Sequence, residues 1–317
     1  MVNSEKIKFG AELVTFFHPG YWNVATYDDI VELARREPLL FWNKILDGVA
    51  SAGVKGIELT FAPFNWQHAL ATYGGLAGFK AALAARSLSI ASGFFAELEH
   101  GSDLLNPAVQ QTVLDSAERY AETIAACGGD ALVIGLPMRQ TPNSQPPVFV
   151  DLPLAQRLAD FVNRLGATTA RHNVKLALHT EAHSMFAMAR DVDLFMLLTD
   201  PAYVGFCPDA AHLVVAGADP IEVVRRHQER LVIAHWKDAI GPMPADTPID
   251  EQIHERHRPY FCRLGAGRVD WPAWARLLRD LHFSGWAILE LDAAADPVAD
   301  IIAGRQFVET ALLPIFA

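Results

Sequence analysis

Eight times along this chain a short apolar run rich in β-branched residues gives way to a longer amphipathic stretch. The runs lie at 7–17, 56–62, 89–98, 131–137, 174–181, 203–209, 231–237 and 286–292, with helical patterns between them at 38–52, 107–127, 152–171, 192–199, 220–229 and 271–281. Such alternation reads as parallel strands joined by crossover helices. Asn106-Pro107, Asp219-Pro220 and Asp296-Pro297 each set a capping side chain before a first-turn proline, while Gly53 and Gly128-Gly129 are helix stops ahead of strands. Eight units with none left over predict a closed (β/α)₈ barrel of the α/β class, a TIM barrel occupying 1–317 as a single domain. A doubly wound open sheet would need a glycine-rich phosphate turn after an early strand. The dense cluster Gly74, Gly75 and Gly78 follows no strand.

A barrel strand should be apolar along its length, so ionisable residues at its C-terminal tip need a reason. Period-two alternation sends Leu176 and Leu178 outward and His179 and Glu181 toward the lumen. It likewise turns Asp209, His235 with Lys237, and Glu290 with Asp292 inward, while Phe206 and Leu289 face the helices. Four neighbouring strands therefore aim Glu181, Asp209, His235 and Glu290 at one small volume. Three carboxylates so close repel, and a bound cation is the simplest way to keep them ionised. Oxygen-rich donors with one imidazole suit a single divalent ion, manganese first, with magnesium, cobalt or zinc as substitutes, and no cysteine is required.

The net charge of −11, with no run of five basic residues, argues against a nucleic-acid partner. No uncharged apolar run approaches the roughly 20 residues of a membrane span. The polar segment 1–9 is not expected to be a leader, and Cys127, Cys207 and Cys262 are scattered without pairing, so a cytoplasmic, reduced protein is expected. Cys207 is expected in the core. Long loops at 137–151 and 241–260 fall on the strand-to-helix side, where barrel enzymes build substrate covers. Phe16, Phe17, Trp22, Phe64 and Trp66 follow the first two strands, as a lid or as faces for a sugar ring. Glu97, with Glu99 and His100, and Glu58 end strands three and two and are expected on the opposite wall; Glu58 alternatively caps a helix or pairs with Arg86.

The strings His179-Thr-Glu181, Pro208-Asp209-Ala-Ala-His212-Leu, His235-Trp-Lys237-Asp238, Leu264-Gly-Ala-Gly267-Arg-Val-Asp270-Trp and Gly285-Trp-Ala-Ile-Leu-Glu290-Leu-Asp292 resemble the xylose-isomerase-like superfamily of sugar isomerases and epimerases. Within it the pattern is similar to the keto-inositol dehydratase and isomerase branch. The resemblance implies that Glu181, Asp209, His235 and Glu290 bind the metal. It also implies that His212 hydrogen-bonds a substrate oxygen and that the two glutamates exchange protons at the reacting carbon. His183 is either a base or substrate contact, or a surface loop residue; Lys237 either touches a substrate oxygen or pairs with Asp238; Glu97 is a further substrate-side candidate.

The expected activity is isomerisation or epimerisation of an unphosphorylated keto-sugar or keto-inositol by α-proton abstraction at a metal-held carbonyl. The alternative is a lyase on the same barrel, either a keto-inositol dehydratase or a 3-keto-glycoside-eliminating deglycosidase. That last reading brings in a small partner subunit, where a homo-oligomer is the other arrangement. A phosphodiesterase of the endonuclease branch or a non-catalytic sugar-binding subunit are remote readings.

Overall fold

The computed structural model of the chain describes residues 7–98, 104–139 and 148–316, so Glu99, His100 and part of the loop at 137–151 lie outside the described residues. The eight barrel strands are β1 (Ile7–Glu12), β2 (Gly56–Leu59), β3 (Ser89–Phe94), β4 (Ala131–Ile134), β5 (Lys175–His179), β6 (Val204–Cys207), β7 (Ala234–Trp236) and, after a short ribbon of β8 (Asp238–Ala239) and β9 (Phe261–Cys262), β10 (Gly285–Leu289). They form one parallel sheet in the order β6-β5-β4-β3-β2-β1-β10-β7. Its free edges meet through isolated parallel bridges, Phe206 with Leu231 and Asp209 with His235. There the Val232 amide donates to the Phe206 carbonyl at 3.0 Å and the His235 amide to Pro208 at 3.1 Å. The result is the expected TIM barrel.

The helices begin where the sequence places them. Asn106, Asp219 and Asp296 accept from amides of the first turn, each beside a proline that has no amide to satisfy. Helix Pro107–Ala126 buries Val113, Ala117, Tyr120, Ala121 and Ile124, the three-and-four spacing of a single face. Gly74 and Gly75 join two short helices, Trp66–Thr72 and Leu76–Ala84. No helix among the described residues is long and apolar enough to cross a membrane.

Two apolar layers follow from the alternation of side chains. Leu176, Leu178, Phe206, Trp236 and Leu289 pack outward among the helices, and Trp236 stacks on Trp271 with ring centroids 5.6 Å apart. Ala91, Phe94, Ala131, Val133, Ala177, Cys207, Ile233, Trp286 and Ile288 fill the lumen. With the lumen plugged by these side chains, a ligand is confined to the mouth at the C-terminal ends of the strands.

Candidate metal centre and active-site mouth

The regular strands stop earlier than the apolar runs, so Glu181, Asp209, Lys237, Glu290 and Asp292 stand just beyond the last ladder bonds. Parallel pairing sets Leu289 beside Trp236, which brings Lys237 next to Glu290. The Lys237 ammonium, 1% exposed, donates to Glu290 and, at 3.0 Å, to Asp292 Oδ1. It also stands 3.4 Å from Asp209 Oδ2, 2.9 Å from His212 Nε2 and 4.4 Å over the Phe261 ring. Burial lowers its pKa, but Asp209, Asp292 and Glu290 outweigh burial and hold the ammonium well above its ordinary value. Burial raises Glu290, and there Lys237 and His235 win and keep it ionised.

Asp238 turns the other way. Its carboxylate accepts from the amides of Ala239 (2.8 Å), Gly265 (3.0 Å), Gly267 (3.0 Å) and Val269 (3.2 Å) and from the Trp271 indole (2.8 Å). A Cβ at Gly267 would collide with that carboxylate, and Gly265 adopts φ 84°. The Leu264–Trp271 motif is thus a nest of donors for Asp238. It anchors the β8–β9 ribbon, and the 241–260 excursion closes as an arch carrying a short helix, Ile253–His257. The Lys237–Asp238 pairing considered from the sequence does not form, because adjacent residues at the strand tip point to opposite faces.

The Asp-x-x-His spacing has a local explanation. Asp209 caps helix Ala210–Val215, its Oδ1 accepting from the His212 amide at 2.9 Å. The Ala182 amide then donates to His212 Nδ1 at 3.0 Å, which leaves Nε2 facing the mouth with the Lys237 nitrogen 2.9 Å away. Nε2 lies 3.3 Å from Glu181 Oε2. Burial, before the nearby Lys237 charge, drives the His212 pKa well down.

The opposite wall comes from β1 and β2, whose register sets Glu12 beside Glu58. Glu58 is fully buried, accepts from Ser92, and lies 2.8 Å from His235 Nε2, while His235 Nδ1 is 2.7 Å from Glu290 Oε2. Arg86 instead bonds Asp47 and Asn43, so the Glu58–Arg86 pairing is not formed. Glu12, unremarked in the sequence, lines the mouth, and burial with Glu290 and Glu58 pushes its carboxyl well up. A signal for it existed. Gly10 and Gly56 face lumen residues, so Glu12 and Glu58, two positions further on, share the inward phase that singled out Glu181 and Glu290.

Glu12, Glu181, His212, His235, Lys237, Glu290 and Asp292 line a cavity of about 280 Å³ that also takes in Phe17, Phe61 and Phe94 and is capped by His254, His257 and Arg258 of the arch, with Asp209 and Glu58 buried just behind the lining. Phe16, Trp22, Phe64 and Trp66 pack beneath it in the core. Glu97 is exposed, held by Gln67 (3.1 Å) and Ser116 (2.9 Å), and the cavity lining does not include it. His183, at φ 70°, stacks on His257 with centroids 5.9 Å apart, behind the lining.

The donor set fits a divalent cation. Asp209 Oδ2 and both nitrogens of His179 are buried without a hydrogen bond, an arrangement costing roughly 1–3 kcal/mol per group unless something binds there, while His235 is held between Glu58 and Glu290. His179, Asp209 and His235 offer ligand atoms within 4.8 Å of one another, and so do Asp209, His212 and Glu290. Asp209 is common to both groups. Glu181 joins a third, with His254 and His257.

Comparison with known proteins adds four findings. Residues 46–311 match the family described as "Xylose isomerase-like TIM barrel". An inosose dehydratase of Clostridium botulinum is 24% identical over 321 residues, spanning 98% of each chain. Among solved structures, a xylose isomerase-like TIM barrel protein of Mycobacterium smegmatis in complex with magnesium superimposes with TM-score 0.73 at 18% identity, covering 100% of both chains. The probable 3-DHS dehydratase AsbF of Bacillus anthracis gives TM-score 0.65 at 16% identity over 96% of this chain and 99% of its own.

Proposed function

Because the chain belongs to the xylose isomerase-like TIM barrel family, we propose that it is a metal-dependent lyase that removes water from an unphosphorylated cyclic keto-polyol of the keto-inositol class. Full-length similarity to proteins named inosose dehydratase and a fold shared with a probable 3-DHS dehydratase favour elimination over isomerisation or epimerisation. The observation that carries the reading is the Glu290–Lys237 pair, a carboxylate and an ammonium in direct contact within one buried mouth. Elimination needs those two states side by side at the start of turnover.

Asp209, His235, Glu290 and Glu181 would hold the ion, with His179 as an adjoining donor beside Asp209 and His235, and three carboxylates with one imidazole suit Mn²⁺ or Mg²⁺. When bound, the ion supplies Lewis acidity that makes the C–H beside the substrate carbonyl easier to break. The chain's own groups do the rest. Glu290 takes the α-proton, and the C–H electron pair becomes the new carbon–carbon double bond. The β C–O bond breaks, and Lys237 gives its proton to the departing hydroxyl, which leaves as water. His212 Nε2 hydrogen-bonds a substrate oxygen, and Phe17, Phe61 and Phe94 present apolar faces to a ring.

The test is incubation of metal-loaded protein with keto-inositols in D₂O, read by mass spectrometry and NMR. Loss of one water, abolished by chelator, is expected. Deuterium entering the α-carbon with water retained would replace the lyase by an isomerase or epimerase. Equal turnover of phosphorylated analogues would overturn the substrate class.

A further inference from the structure

The arch brings donors of a different chemistry to the mouth. His254 and His257 are three apart on helix Ile253–His257 and so share one face of it. That face looks onto Glu181, just past β5: the ligand atoms of Glu181, His254 and His257 all lie within 4.8 Å of one another. His257 is 2% exposed and its Nδ1 has no hydrogen-bond partner. A buried imidazole nitrogen with an unused lone pair or proton, on a ring that belongs to a cluster of ligating groups, is costly to maintain without an occupant.

We propose that Glu181, His254 and His257 form a second divalent-cation site, selective for zinc or cobalt(II), at the inner face of the arch. Two imidazoles and one carboxylate are a donor set used by catalytic zinc sites, which leave a fourth position open. Of the two groups around Asp209, the one with His212 and Glu290 carries two carboxylates and suits harder ions, so a site built on it differs in preference from Glu181, His254 and His257. Donors about 2.1 Å from a tetrahedral ion stand about 3.4 Å apart, so a spread of up to 4.8 Å closes with small side-chain rotations. Glu181 has two carboxylate oxygens and stands between both groups, as bridging carboxylates do in paired-metal centres. The open position faces the same cavity, because Glu181, His254 and His257 all line it. The assignment does not depend on which reaction the mouth performs.

The experiment titrates metal-stripped full-length protein with Co²⁺, following visible absorption and calorimetric stoichiometry, with Mg²⁺ as competitor. The wild type is expected to take two ions per chain, one of them not displaced by Mg²⁺. His254→Gln, at a half-buried position, and His257→Gln should each weaken that ion by more than the roughly 10–100-fold that loss of an outer-shell partner costs, and Asp209→Asn should remove the other. Circular dichroism checks that each variant is folded, and the half-buried His254 keeps the test alive if His257→Gln is not. A single ion that Asp209→Asn removes and His254→Gln leaves untouched would overturn the second site while leaving the lyase reading intact. Full uptake of both ions by the histidine variants, with only KM raised, would overturn it in favour of direct substrate contact. Loss of an ion in the histidine variants with none lost in Asp209→Asn would uphold this site and count against the Asp209 centre.

Discussion

Replacing Asp238 by asparagine keeps the shape of the side chain and changes one acceptor into a donor. One oxygen of Asp238 accepts from Gly265, Gly267 and the Trp271 indole, the other from Ala239 and Val269. The asparagine carbonyl will take the three-donor side, so its NH₂ group confronts the amides of Ala239 and Val269. Two hydrogen bonds to a charged acceptor are lost, at roughly 1.5–3 kcal/mol each, or about 3–6 kcal/mol in all. Asp238 is fully buried, so water offers little relief. At about 2 °C per kcal/mol for a chain of this size, thermal unfolding should fall by roughly 6–12 °C. Hydrogen exchange should quicken first at Gly265, Gly267 and Val269 and spread into the arch, since the β8–β9 ribbon hangs on this carboxylate. A melting temperature within about 1 °C of wild type, with unchanged exchange at those amides, would refute the view of the glycine motif as a structural nest.

Lys237→Gln should slow water loss by roughly 10²–10⁴-fold while leaving exchange of the α-proton with solvent, because Glu290 remains; dehydration within about tenfold of wild type would remove Lys237 as the acid. In metal-stripped protein, burial depresses His183 from 6.5 to about 4 and His257 from 6.5 to about 3. Between those values and 6.5 the unfolded chain binds more protons than the folded one, so stability should fall as pH drops below about 6.5, and His257→Gln should flatten that slope in urea unfolding compared near pH 7 and about pH 5. A slope unchanged in the variant would show that His257 is not buried neutral.

The barrel was legible in the sequence because alternation and capping are local, and the family through the resemblance of its strand-tip motifs. Period two in a strand fixes which side chains face the lumen, and so Glu181, Asp209, His235, Lys237 and Glu290 could be aimed correctly before any contact was known. The Asp-x-x-His spacing is local too, an N-cap and the residue it orients. Only the tertiary structure decided what those tips meet. Closure of the barrel places Glu58 of β2 against His235 of β7, two residues no local pattern links. It sets Lys237 among Asp209, Glu290 and Asp292, not beside Asp238, because a strand tip turns adjacent side chains to opposite faces. It leaves Glu97 outside, since the chain beyond β3 has left the inward phase. His254 and His257 reach the mouth because a nest around Asp238 folds the arch back over the barrel. Periodicity sets the direction of a side chain; distance across a barrel, and hence the partner of a buried charge, depends on how eight separate segments close on one another.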